Sequence, residues 1–200
     1  MAERSQPVSK LATTPRGDDS CKSKKTLFAH VDDDRLRDRV YHDWIRKGAA
    51  LGVCTGDRRT DQRPGAGMSE LLRIIDVQND GRDEIFFGGT SILTRFYDVV
   101  VFRKGKLRQV LRPKGEPLSL IEGTVDEGRG KAFGCRKSTG EETRKLVKAS
   151  ARRIGGPRFR WTRAIFRLRD SSAKRTSVEK GRTRHRGSAY EVAAALVKPC

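Results

Sequence analysis

The stretch LLRIIDVQNDGRDEIFFGGTS, Leu71 to Ser91, decides how the chain is read. An apolar run stops at Asp76, an acidic loop turns at Gly81, and a second apolar run, Ile85-Phe86-Phe87, ends at Gly88-Gly89. Aspartate and asparagine accept turn geometry and glycine supplies positive φ at little steric cost, so two hydrophobic runs about such a loop predict strand, turn, strand. The loop also gathers oxygens. Asp76, Gln78, Asp80 and Glu84 stand at its first, third, fifth and ninth places, with the backbone carbonyl of Arg82 between the last two, a spacing that lets one loop wrap a hard cation. An EF-hand would need glutamate at the twelfth place and a helix beyond it. The twelfth place is Phe87, inside a strand-like run, and the EF-hand reading fails.

These residues resemble the FG-GAP or VCBS repeat, the integrin-alpha-like unit with the signature D-x-[DN]-x-D-G-x-x-[DE] followed by a strand and often Phe-Gly. Asp76, Asp80, Gly81, Glu84 and Phe87-Gly88 match, whereas Gln78 is neutral where the family has Asp or Asn. The resemblance implies that the loop binds calcium and that each repeat builds part of a propeller blade. The alternative keeps Asp76 as a turn-capping residue in a loop that holds no ion.

Weaker echoes flank the central loop. HVDDDRLRDRVYHDW puts His30, Asp32, Asp34 and Asp38 at the liganding places, with Arg35 where the turn glycine would be, so Asp32, Asp34 and Asp38 form a second, weaker candidate metal loop. Leu36, Val40 and Trp44 also have helical spacing, but the turn signal Arg46 to Ala49 before Leu51-Gly52-Val53-Cys54 favours strands. The same grammar recurs at Val99 to Leu111 around Arg103-Lys104-Gly105-Lys106. A third unit begins at Phe133-Gly134-Cys135 and places Lys137, Thr139, Glu141 and Lys145 at the liganding positions, where two lysines repel a cation. Arg58 to Gly67 and Pro113 to Gly123 read as polar linkers after the first and second units, and Arg182 to Ser188 as a basic loop. Strands are expected at Lys145 to Arg153, Phe159 to Leu168 and Arg175 to Val178, with Phe159, Trp161 and Ile165 facing a core, and a short helix over Tyr190 to Val197.

Hydrophobic residues are 35% of the 200 and charged residues 34%, a modest apolar supply. No stretch approaches the roughly 20 apolar residues of a membrane-spanning helix, and the first 26 residues hold no apolar signal core. Residues 1–26, rich in Ser, Thr, Pro, Lys and Arg, read as a disordered tail or the remnant of an export segment. Lys and Arg number 44 against 25 Asp and Glu, a net charge of +19 that attracts polyanions. Along the sequence this charge is dispersed, without interleaved aromatics or a nucleic-acid-binding module. Cys21, Cys54, Cys135 and Cys200 include no CxxC pair, which disfavours zinc. In a chain resembling extracellular repeats an even number fits two disulfides, with three connectivities open, against reduced thiols in a cytosolic protein. His30, His42 and His185 lie far apart without a nucleophile context, there is no P-loop, and no catalytic residue is assigned.

The expectation is therefore an all-β domain over residues 27–200, with three diverged propeller-blade-like units near 27–57, 68–112 and 130–180, an incomplete propeller or open β-architecture with a short C-terminal helix. Its expected function is a non-enzymatic extracellular or cell-envelope binding or structural module with one calcium ion, whose partner is a protein or a polyanionic cell-surface ligand. A basic nucleic-acid- or polyanion-binding protein whose acidic loops are merely turns is the second reading, and a hydrolase the third. Whether the basic residues gather into one continuous patch separates the first two.

Overall fold

The computed structural model describes residues 21, 26–32, 36–45, 48–55, 58–64, 69–137 and 144–200. The expected N-terminal tail, Asp34, and the third loop between Lys137 and Arg144 lie outside them. Strands dominate, as the sequence leads one to expect, in two open antiparallel sheets. The smaller is a four-stranded meander of β1 (Thr26–Ala29), β2 (Asp38–Ile45), β3 (Gly48–Thr55) and β4 (Arg58–Pro64). The larger has nine strands: β5 (Ser69–Ile75), β6 (Glu84–Thr90), β7 (Thr94–Arg103), β8 (Lys106–Gln109), β9 (Ser119–Asp126), β10 (Arg129–Lys137), β11 (Arg144–Gly155), β12 (Arg158–Arg169) and β13 (Ser172–Arg184). The long strand β7 pairs with β9 over Thr94 to Asp98 and with β8 over Val100 to Arg103. The larger sheet therefore consists of two four-stranded meanders, β5 to β8 and β10 to β13, fused through β9.

Local chemistry explains most of the strand ends. The β7–β8 hairpin turns at Lys104 and Gly105 with φ of 52° and 71°, the two positive values that a two-residue primed turn requires. Over β2 the helical spacing of Leu36, Val40 and Trp44 loses to pairing with both neighbours, in which Val40 meets Leu27 on one side and Val53 on the other.

Three loop expectations are corrected. Arg58 to Pro64, read as linker, is β4, the last strand of its sheet; edge strands are commonly polar and tolerate proline, so composition concealed it. Ser119 to Gly123 belongs to β9, where Leu120 and, just before the strand, Leu118 are fully buried in a segment otherwise rich in Pro, Gly and charge. Arg182 to Arg184 continues β13, paired to Arg160, Phe159 and Arg158.

The larger sheet curls. Phe86 on β6 and Phe133 on β10 are three strand steps apart in the sheet order, about 14 Å if the sheet were flat, yet their rings stack with centroids 5.9 Å apart and planes at 7°. Tyr97 on β7 meets Phe133 edge-on at 5.2 Å. The inner face of this curl also buries Val99, Val101, Leu120, Leu146, Phe166 and Leu168. The outer face is covered in two patches. Ile85, Phe87, Val100, Phe102 and Leu107 pack against Ala29, Val31, Val40, Leu51 and Val53 of the smaller sheet and its first loop. At the other end α1 (Ala189–Ala194) lies over Ala132, Ala149, Ala151 and Phe159. The helix opens on a capping box between Ser188 and Glu191. It sits so close to β10 that a Cβ at Gly130 would collide with the backbone of Ala189 and Tyr190. Among the described residues no helix is long and apolar enough to cross a membrane.

Two disulfides fix the periphery. Cys21–Cys54 packs on Tyr41 of the smaller sheet, and Cys135–Cys200 ties the C-terminus to β10, where Cys135 N donates to Lys198 O at 2.8 Å. Both suit a non-reducing setting. Non-reducing peptide mapping is expected to return these two pairs and neither alternative connectivity. Cys200→Ser is expected to lower stability by about 2–4 kcal/mol in denaturant unfolding. A Cys21–Cys135 linked peptide, or unchanged unfolding of the variant, would contradict this arrangement.

Candidate cation loop

The acidic loop is the β5–β6 connection, and each of its side chains has a defined place. Asn79 and Gly81 take φ of 54° and 81°, which turns the chain back on itself. Asp76 closes that turn: its Oδ1 accepts from Asp80 N at 3.2 Å and its Oδ2 from Gly81 N at 3.1 Å. Asp80 accepts from Arg82 N at 3.0 Å and pairs with the Arg82 guanidinium at 3.0 Å, while the Arg103 guanidinium stands 3.9 Å away.

Glu84, the first residue of β6, is fully buried. It accepts from Val77 N at 2.7 Å and from Gln78 Nε2 at 2.5 Å. Burial pushes its carboxyl up to about 7, aided by repulsion from Asp80 and Asp76 and opposed by those two hydrogen bonds. Asp83, absent from the set of ligand candidates, has a structural part. Its backbone N donates to His30 O at 2.6 Å and its carboxylate accepts from His30 N at 2.8 Å, so it joins this loop to the one after β1. Burial raises the Asp83 carboxyl as well.

The structure thus brings Asp76, Gln78, Asp80, Arg82 and Glu84 into one turn. Of the weaker loop, Asp38 is buried at the start of β2, and Asp32 lines a cavity of about 370 Å³ with Arg82, Arg103 and Lys104. Among the described residues no three His, Cys, Asp or Glu side chains converge as a metal cluster. As found, the acceptor oxygens of Asp76 and Glu84 are taken by loop amides and by Gln78. By residue type alone the donors are ones that hard cations accept. They comprise three carboxylates, an amide oxygen available if Gln78 turns over, and the Arg82 carbonyl, on a glycine turn, with a buried carboxylate whose neighbours repel its charge.

Asp38 and His42 lie on one extended strand, four residues and about 13 Å apart, too far for an acid–base pair. His185 pairs with Glu191 at 3.2 Å on the exposed helix start.

The fold gathers part of the charge scattered along the sequence, the feature expected of a polyanion-binding surface. Register aligns Arg129, Arg152, Arg160 and Arg182 in one row across β10 to β13. Only strand pairing creates this row, so no sequence period announces it.

Comparison with family models, curated proteins and solved structures finds no match to the chain.

The raised Glu84 carboxyl has a signed consequence. Its folded value lies above the ordinary value of 4.5, so the folded protein holds the extra proton and stability falls as pH rises through the window from about 4.5 to about 7. In calcium-free buffer the wild type is expected to melt lower at pH 8 than at pH 5, a loss on the order of 3 kcal/mol from this group. Glu84→Gln, which cannot ionise, is expected to flatten that slope. Equal slopes in the two proteins would show that Glu84 does not titrate in this window.

Proposed function

We propose that the chain is a non-enzymatic binding or structural module of the FG-GAP/VCBS type, working outside the reducing cytoplasm, with one calcium ion held by the β5–β6 loop. The observation that carries this reading is a correspondence between sequence and topology. The three candidate liganding stretches, around Asp34, Asp80 and Glu141, each fall between the first and second strands of a four-stranded antiparallel meander: β1–β2, β5–β6 and β10–β11. One loop recurring at one topological position is what diverged repeats would leave. The blade-like character of the three meanders belongs to the same reading, with the second and third fused through β9 in an open sheet. The two disulfides support the compartment.

Calcium would act here as a structural ion. Asp76, Asp80 and Glu84 would hold it with the Gln78 amide oxygen and the Arg82 carbonyl, and it would offset the burial, and the lesser repulsion from Asp80 and Asp76, that raise the Glu84 carboxyl. Binding requires Asp80 to exchange its Arg82 partner for the ion and Gln78 to reverse its amide, so affinity is modest, in the ~10⁻⁴–10⁻³ M range of extracellular modules. At a calcium concentration about 100 times the dissociation constant the ion is expected to stabilise the fold by about 2.7 kcal/mol. Calorimetric titration of the wild type and of Asp80→Asn is the test. Binding heat and a rise in Tm should appear in the wild type and vanish in the variant. Equal heats, or a Tm rise that persists in Asp80→Asn, would remove the ion from this loop.

A further inference from the structure

The row of arginines is the centre of a larger cationic face. On the face where Arg129, Arg152, Arg160 and Arg182 align, the next row toward the core is Lys131, Ser150, Thr162 and Lys180, and the row beyond is Arg158 opposite Arg184. Lys148 continues the face inward, where burial and the neighbouring charges of Arg112 and Lys131 push its ammonium down. The four arginines of the central row, and Arg158, Arg184 and Lys180, are exposed. Strand alternation directs Glu179 to the opposite face, where it pairs with Arg163 and Arg136. Among the described residues of β10 to β13 no carboxylate shares the cationic face; Asp126 of β9, opposite Arg129 and paired with it at 2.7 Å, stands at its rim. With strands about 4.8 Å apart and alternate residues about 6.8 Å apart along each strand, the cations form a lattice roughly 14 Å across.

We infer that this face of β10 to β13 docks an extended acidic polysaccharide carrying sulfate or phosphate esters. Charge complementarity selects a polyanion, and arginine's planar fork suits sulfate and phosphate oxygens. The face itself selects among polyanions. Among the described residues no exposed aromatic side chain projects within the cationic rows to stack a base, as single-stranded nucleic acid requires; Phe133 and Phe166, beside Lys148, are buried. Among the described residues no helix or two-stranded ribbon stands out from it to enter a duplex groove. What it offers between the charges are the hydroxyls of Ser150 and Thr162, partners for sugar hydroxyls. The two disulfides suit the compartments in which such glycans are met. The inference rests on the reading of the chain as a non-enzymatic binding module and names its ligand class; it does not use the calcium loop.

The test uses heparin fragments, with single- and double-stranded DNA of matched charge, at about physiological ionic strength, where screening acts within roughly 8 Å. The wild-type full chain is expected to bind heparin at least fivefold more tightly than either DNA. The double variant Arg152→Glu, Arg160→Glu should lose at least tenfold in heparin affinity. Lys106→Glu with Arg108→Glu, which removes the same charge from exposed positions on the β7–β8 hairpin, should lose less than threefold, and circular dichroism should show all three proteins folded. Equal losses in the two double variants would overturn the face in favour of undirected net charge. DNA binding as tight as heparin binding would assign the face to nucleic acid and overturn the glycan. Absence of heparin binding would overturn it outright. Asp80→Asn separates the two readings: if calcium heat is absent from the wild type while heparin affinity is intact in both proteins, the ion assignment fails and the docking face stands, and the converse result strikes only the face.

Discussion

The stack of Phe86 on Phe133 is the constraint from which much of this architecture follows. Residues three strand steps apart can touch only if the sheet between them rolls, and rolling turns its inner face into a core with no second sheet opposite. The same curl carries Arg73 of β5 over the Tyr97 and Phe133 rings, 5.1 and 5.7 Å from their centroids, so the free end of the sheet comes to rest near β10. β10 pairs with β9 only from Arg129 to Lys131, and beyond that the C-terminal segment takes over, bridging Cys135 to Lys198 before the disulfide to Cys200. A rolled sheet leaves an outer face, and here two separate covers fill it: the smaller sheet at one end and α1 at the other.

The acidic loop sits where those layers meet. Ile85 and Phe86 begin β6 on opposite faces, one against the smaller sheet and the other in the inner core, which leaves Glu84 at the strand's start sealed from water. A carboxylate in that position needs compensation, and two hydrogen bonds from its own loop supply part of it. Asp83 faces the other way and joins the loop to His30, in the loop that follows β1 of the smaller sheet. One short turn thus reverses the chain, satisfies a buried acid and connects two sheets, so a change in its ionisation would reach the interface between them.

How legible this was in the sequence depended on whether the signal was local. The turn at Gly81 and the hairpin at Lys104-Gly105 have their causes within a few residues and fall where those residues indicate, and the expected helix forms after its Ser188 cap but ends at Ala194, short of Val197. The strand Arg58 to Pro64 was hidden because an edge strand and a linker share a polar, proline-bearing composition. β9 was hidden because its core leucine Leu120, and Leu118 just before it, are embedded in turn-forming residues. Asp83 looked like one more acid among several, since its partner His30 is distant in sequence. The cationic face was least legible: Arg129, Arg152, Arg160 and Arg182 become neighbours only through the register of three strand pairs, although arginines alternating with Phe159 and Trp161 did mark a solvated side of β12.

That face is also an energetic anomaly within the fold. Like charges directly opposite across a strand pair are destabilising, by roughly 0.2–1 kcal/mol each on the scale of cross-strand pairs, and the central row sets three such pairs in succession: Arg129 with Arg152, Arg152 with Arg160, and Arg160 with Arg182. On the reverse side the same strands do the opposite: Glu179 accepts from Arg163 and from Arg136 at 3.0 Å, a cross-strand network in which the two guanidinium groups hold its carboxyl below the ordinary range. The two faces share one backbone, yet of the two only the reverse face sets a carboxylate of these strands among its cations. Hydrogen-bonded ladders and the alanine-lined seat of α1 are enough to hold β10 to β13 together against the repulsion, so the imbalance persists as a field directed outward from a rigid surface. An anion arriving there would relieve strain already present in the free protein, and its binding free energy would include the repulsion it removes as well as the contacts it makes.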